Sequence, residues 1–250
     1  MQAVILAAGR GTRMVELTES VPKPMLLVAG KPLLEYKLEA LPDDIDELVI
    51  ITGYLGDVIR KHFGGGFGEK KISYIEQKEL DGTAGALWKA KDMLRERFLV
   101  MMGDDLYARE DVEACIAPGE NWRLVVQELP ELYRAGRIEL DEEGHISEII
   151  ESSKEDEGRR ASGLASTNLY CFDTRLFSQP LVPKHEGSLE YGLPQTAVAA
   201  ARALGIVFEP VFTDQWIQIT APKDLVYAAE ILAKMKAAEE KKAKKQPIHP

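Results

Sequence analysis

Val4-Ile5-Leu6-Ala7-Ala8-Gly9-Arg10-Gly11-Thr12-Arg13-Met14 lies at the start of the chain, and the way this stretch breaks decides the fold. Three large apolar residues run into two alanines and then into a loop carrying two glycines. A short apolar run that stops at glycine reads as a buried strand delivering a loop from its carboxyl end. Three similar runs follow: Leu48-Val49-Ile50-Ile51, Ile72-Ser73-Tyr74-Ile75 and Phe98-Leu99-Val100-Met101-Met102. Between them Leu34, Leu38 and Leu41 share one face of a helix starting near Pro32. Val58, Ile59 and Phe63 suit a second helix, and Leu87, Ala90 and Leu94 a third. This alternation predicts an α/β fold whose mostly parallel sheet is covered on both faces. Ligands of such sheets bind in the crevice at the carboxyl ends of the strands, where the glycine loop falls.

Beyond about residue 120 the pattern changes. Residues 123–127, 136–140, 145–150 and 165–172 are closely spaced strand candidates that suit a mixed or antiparallel extension. A helix near 194–204, strands at 206–212 and 216–219, and a final helix marked by Leu225, Ala228, Leu232 and Met235 complete the reading. Residues 152–162 are polar and charged, the pattern of a mobile loop. The tail over 239–245 pairs Glu240 with Lys244 at i,i+4 spacing, which reads as a solvated helix end.

Composition narrows the functional classes. The chain has 250 residues and a net charge of −10, which argues against a nucleic-acid surface built on Lys and Arg. Cys115 and Cys171 form no CxxC pair, and His62, His145, His185 and His249 have no HExxH spacing. No apolar run approaches membrane-spanning length, and Gly9 and Arg10 interrupt the first one too early for a secretory signal. The sequence therefore reads as soluble and cytoplasmic, with small-molecule partners and no nucleic acid or membrane. It leaves room for a homo-oligomer.

Glycines and small residues in the first loop let backbone N–H groups close around phosphate oxygens. The loop lacks the Gly-Lys-Ser/Thr of the Walker A pattern. It also lacks the dinucleotide fingerprint, since Met14 stands where a third glycine is needed and Thr52-Gly53 ends the second strand without an acid.

Taken with Pro22-Lys23-Pro24-Met25, Gly30-Lys31-Pro32, Gln77 with Gly82-Thr83-Ala84, and Gly103-Asp104, the stretch resembles the ordered signature of nucleotidylyltransferases that make nucleotide sugars. The resemblance covers roughly the first 105 residues. It implies a Rossmann-like three-layer nucleotidyltransferase (GT-A-like) fold, with a mostly parallel mixed central sheet and a small antiparallel sugar-side extension. One nucleotidyltransferase domain is expected over 1–235, with a charged helix end and tail over 236–250. The implied reaction joins a nucleoside triphosphate to a sugar-1-phosphate by in-line attack on the α-phosphate and releases pyrophosphate, assisted by Mg²⁺. Arg13 is expected to hold the departing phosphates and Lys23 to bridge the α-phosphate and the acceptor phosphate. Leu6, Ala8, Gly9, Gly11, Thr12, Gln77, Gly82 and Thr83 would bind the nucleotide, and the Gln77 amide favours UTP or dTTP. Gly136, Glu151 and Asn168 fall where the family meets the sugar, and Asp104 where it holds Mg²⁺.

Two departures stand out. The family's acid-lysine-proline triplet is Glu151-Ser152-Ser153 here, with Lys154 two residues late. Gln218 occupies the place of a second magnesium-binding aspartate, and an amide oxygen binds Mg²⁺ more weakly than a carboxylate. Asp105 and Asp214 are the acids that could compensate. These departures keep two other readings open: transfer to a different phosphorylated acceptor such as phosphocholine, or a catalytically impaired nucleotide-binding regulator.

Overall fold

A computed structural model describes residues 1–132, 135–151 and 162–243. In chain order the elements begin with β1 (Gln2–Ala7), α1 (Val15–Thr18), β2 (Leu27–Val28), β3 (Lys31–Pro32) and α2 (Leu33–Ala40). They continue with β4 (Glu47–Thr52), α3 (Gly56–Phe63), β5 (Gly66–Phe67), β6 (Lys70–Glu76), α4 (Gly82–Trp88), β7 (Arg97–Met102) and α5 (Arg109–Ile116). The second half supplies β8 (Trp122–Leu129), β9 (Arg137–Leu140), β10 (Ile146–Ile150), β11 (Gly163–Asp173), α6 (Leu193–Leu204), β12 (Phe208–Thr213) and α7 (Pro222–Ala243).

Strands β7, β1, β4 and β6 lie side by side and parallel, the arrangement their continuous apolar runs require. Alternate residues of β1 serve opposite faces. Val4 and Leu6 pack toward α4 and α6, while Ala3, Ile5 and Ala7 pack toward the residues of α2 and α3. The sheet continues through β11, antiparallel to β7, into β9 and β10 on one path and β8 on another. The extension is mixed, because β12 runs parallel to β8.

A third apolar cluster underlies the carboxyl ends of the strands. Met14, Leu26, Val28, Leu33, Leu106, Ile217, Ile219 and Ala228 join the glycine loop, the segment after β7 and α7 into one support. Met14, the residue in place of a third glycine, anchors the loop there.

Three local expectations are corrected. The third helix ends at Trp88, so Ala90 lies beyond it and Leu94 follows a separate 3₁₀ turn over Lys91–Met93. Residues 216–219 form no strand; a single bridge joins Ile217 to Leu106. The helix α5 was not anticipated, because charged residues open it and its buried apolar contacts are Val112 and Cys115. The last helix crosses position 235 without a break. Lys154 and Lys244 lie outside the described residues.

Candidate active site

A cleft of about 440 Å³ opens at the carboxyl ends of β1, β6 and β7. One wall is the glycine loop, from Leu6 to Met14. Gly11 takes φ +63°, a conformation that L side chains resist, and lets the chain turn into the 3₁₀ helix Thr12–Met14. A Cβ on Gly11 would also press on Lys23 Cβ at 3.1 Å. The loop exposes Arg10 and Arg13 at the rim, Arg10 resting over the Tyr54 ring.

Lys23 forms the floor. Extended Pro22 leads into the 3₁₀ turn Lys23–Met25, closed by Met25 N–H donating to the Pro22 carbonyl at 2.8 Å. The turn buries the lysine stem and brings Nζ 2.6 Å from Asp104 Oδ2. A second Nζ hydrogen bond goes to the Ile219 carbonyl. Enclosure pushes the Asp104 carboxyl up, but the Lys23 ammonium, its hydrogen bond and Lys37 outweigh this and hold it below the usual carboxylate range.

Asp105 points away from the cleft. Its Oδ1 accepts the Ile219 N–H at 3.0 Å and its Oδ2 the Trp216 indole N–H at 3.2 Å. Burial, reinforced by the neighbouring Asp104 charge, pushes its carboxyl up to about 7. Lys37 is fully enclosed on α2, and burial brings its ammonium down to about 8 against the pull of Asp104 and Asp105. Sequence reasoning missed this lysine, although Lys37 falls between Leu33 and Leu41 on the helical wheel, beside the Leu34–Leu38 face, where a charge is anomalous. For the structural task of Asp105 no signal existed, because its partners lie more than 100 residues away.

The opposite wall begins at β6. Gln77 is buried, and its amide donates both hydrogens inward, to Asp81 Oδ1 at 2.6 Å and to the Gly82 carbonyl at 3.1 Å. The acceptor Oε1 is the part of this amide that makes no hydrogen bond among the described residues. Gly82 takes φ +95°, and a Cβ there would collide with the Tyr191 backbone. That close approach couples α4 to the segment before α6: Ala84 N–H donates to the Tyr191 carbonyl at 3.1 Å, and Leu193 N–H to Thr83 Oγ1 at 2.9 Å.

At the mouth Glu151 pairs with Lys184 at 3.3 Å, and both line the cleft together with Glu190 and Tyr191. Lys184 was not foreseen, since nothing in the sequence connects it to Glu151. Leu6, Ala8, Gly9, Gly11, Thr12, Arg13, Lys23, Gln77, Gly82, Thr83, Asp104 and Glu151 all line this cleft. Gly136, Asn168 and Gln218 are not among its lining residues. Gly136 lies just before β9, where its carbonyl accepts the Ser166 N–H at 2.8 Å. Asn168 occupies the bulge of β11 with φ +58°, its Oδ1 accepting the Tyr170 hydroxyl at 2.9 Å. Gln218 sits between Ile217, which bridges to Leu106, and Ile219, which meets Lys23 and Asp105. Neither compensating acid supplies a cleft carboxylate: both Asp105 oxygens are engaged behind the floor, and Asp214 is exposed after β12.

A family model described as nucleotidyl transferase matches residues 2–235. The chain is 34% identical to the bifunctional protein GlmU of Methanocaldococcus jannaschii over 177 residues, covering 71% of this chain and 41% of that protein. It thus spans less than half the length of this relative. The UTP–glucose-1-phosphate uridylyltransferase AglF of Haloferax volcanii is 31% identical over 231 residues, covering 90% of this chain and 93% of that one. A Bacillus anthracis structure, provisionally described as a glucose-1-phosphate thymidylyltransferase, superposes with a TM-score of 0.76. That match spans 92% of this chain and 94% of the other at 27% identity.

Proposed function

Because the chain belongs to the nucleotidyl transferase family, we propose that it transfers a nucleotidyl group from UTP or dTTP to a sugar-1-phosphate. The observation that carries this reading is the meeting of Lys23 and Asp104 on the floor of one cleft, between the glycine loop and the Gln77–Gly82 wall. The acceptor's phosphate oxygen attacks the α-phosphorus in line. The bond from that phosphorus to the β-bridging oxygen breaks, and pyrophosphate leaves with the electron pair. Two anions must be brought together, so charge neutralisation and positioning dominate the barrier. Lys23 spans the α-phosphate and the acceptor phosphate, while Arg13 holds the departing pyrophosphate from the rim. Lys184, released from Glu151, offers the acceptor a further cation, and Glu151 then turns to the sugar hydroxyls.

The Gln77 amide supports the base preference. With both hydrogens spent inside, Oε1 presents an acceptor, which suits the N3–H of uracil or thymine and not the bare ring N3 of cytosine. Asp104 fits a Mg²⁺ that takes one carboxylate and draws its other ligands from phosphates and water. No group of three or more His, Cys, Asp or Glu among the described residues offers a cage. Bound there, Mg²⁺ supplies charge neutralisation at the phosphates.

Pyrophosphate release, measured with Mg²⁺ across the common nucleoside triphosphates and a panel of sugar-1-phosphates plus phosphocholine, tests the reading. Release is expected with UTP or dTTP and a sugar phosphate, and Lys23→Ala should slow it by about 10²-fold or more. Release with phosphocholine alone moves the acceptor class. Near-normal turnover in the Lys23 variant removes that residue from the chemistry.

A further inference from the structure

We propose that Asp105, a carboxylate outside the cleft, is the positioning residue that aims Lys23, acting through the backbone of residues 216–219. The inference rests on the reading of Lys23 as the cation between the two phosphates. An ammonium has three hydrogen-bond donors. One of those on Lys23 meets Asp104 Oδ2 and another the Ile219 carbonyl. The two acceptors act differently. A carboxylate offsets the lysine's charge, whereas a neutral carbonyl fixes the direction of Nζ and leaves that charge for the phosphates. Whatever orients the Ile219 carbonyl therefore orients the cation.

That carbonyl belongs to a segment with little regular structure, bridged to the rest of the chain at Ile217–Leu106. Asp105 secures it at both ends, through the Trp216 indole N–H at 3.2 Å and the Ile219 N–H at 3.0 Å. Leu106, the next residue, makes the bridge itself, with Leu106 N–H donating to the Ile217 carbonyl at 3.0 Å and Ile217 N–H donating back at 3.1 Å. Positions 105 and 106 together thus hold residues 216–219 against the floor.

A buried carboxylate needs a countercharge; Lys23 exerts the stronger attraction on Asp105, and Lys37 adds to it without contact. Its Nζ donates to the Leu33 carbonyl at 3.3 Å and forms no ion pair within 4 Å among the described residues. Two lysines and two aspartates therefore share one region of the floor, close enough to feel one another's charge. One pair, Lys23 and Asp104, reaches the cleft. The other, Lys37 and Asp105, stands behind it.

Asp105→Asn keeps the shape but leaves one of the two N–H donors without a carboxylate oxygen. The double variant Asp105→Asn/Lys37→Met also removes the stranded lysine charge. Steady-state kinetics and thermal unfolding of both, beside wild type and Lys23→Ala, form the test. Both Asp105 variants are expected to lose about tenfold or more in kcat, with KM for either substrate within about threefold. The double variant should recover thermal stability relative to the single one while kcat stays low. If kcat recovers with stability, or a folded Asp105 variant turns over like wild type, Asp105 serves the fold alone and the inference is overturned. If neither variant folds, Trp216→Phe decides, since it removes the indole donor and leaves the carboxylate. A fall in kcat of several-fold supports the positioning role, and wild-type kcat overturns it. Near-normal turnover in Lys23→Ala would instead sink the reading of Lys23, which keeps the two failures distinct.

Discussion

Burial lowers the Lys37 ammonium to about 8, from an ordinary 10.5, despite the attraction of Asp104 and Asp105. Between those two values the unfolded chain binds the proton and the folded chain releases it. Stability contributed by this residue therefore rises with pH across that window, and below it the buried charge imposes its full cost. Lys37→Met lacks this dependence. Urea unfolding of both proteins at several pH values from about 7 to about 10.5 should show wild type gaining on the variant as pH rises. A constant difference across the range would mean that Lys37 is hydrated in the folded protein. Residues of this kind mark the limit of sequence reading. Arg13, Lys23 and Asp104 were legible because each stands in an ordered motif. Lys37 and Asp105 were not, because their task depends on which distant side chains enclose them.

The elements were largely legible where one physical signal dominated. Continuous apolar runs gave β1, β4 and β7, whose burial on both faces leaves no polar alternation to confuse the reading, while the half-exposed β6 was marked by Ile72, Tyr74 and Ile75. Short connecting pieces were less so. Residues 216–219 have the composition of a strand, yet Asp105 and Leu106 hold them as a loop with one bridge. Among the connections, the turn into α4 is the most constrained. Gly82 combines a positive φ with backbone contact against Tyr191, so two penalties act on any side chain placed there. Gly82→Ala is expected to destabilise the protein by about 1–3 kcal/mol and to weaken triphosphate binding more than acceptor binding. Chemical denaturation and separate KM values check this. An alanine variant with unchanged stability would show that the segment around Tyr191 yields easily.

Across the whole molecule, the cleft draws on segments that the sequence places far apart: the first loop, the end of β6, the end of β7, Glu151 and the stretch before α6. A nucleotide that occupies it ties these segments together and stabilises the folded state by mass action. At a free concentration of about 100 times its Kd the gain is about 2.7 kcal/mol. UTP and dTTP with Mg²⁺ should therefore raise the unfolding temperature more than CTP at equal concentration. Equal shifts would detach the base preference from Gln77. The parallel half of the sheet and the position of the glycine loop followed from the sequence, because neighbouring strands and helices set them. The far mouth of the cleft did not: Gly136 and Asn168, expected near the sugar, do not line it, while Lys184 arrives from a segment with no recognisable pattern. The bond from Lys23 to Ile219, which crosses 196 positions, also has a consequence in time. On the ribosome the glycine loop is made well before residues 216–219, and synthesis proceeds at about 5–20 residues per second. The carbonyl that aims Lys23 is made 196 positions after that lysine. A nascent chain therefore carries the loop for many seconds before it owns a working floor, and ribosome-stalled chains cut before residue 216 should be silent in any nucleotidyl exchange.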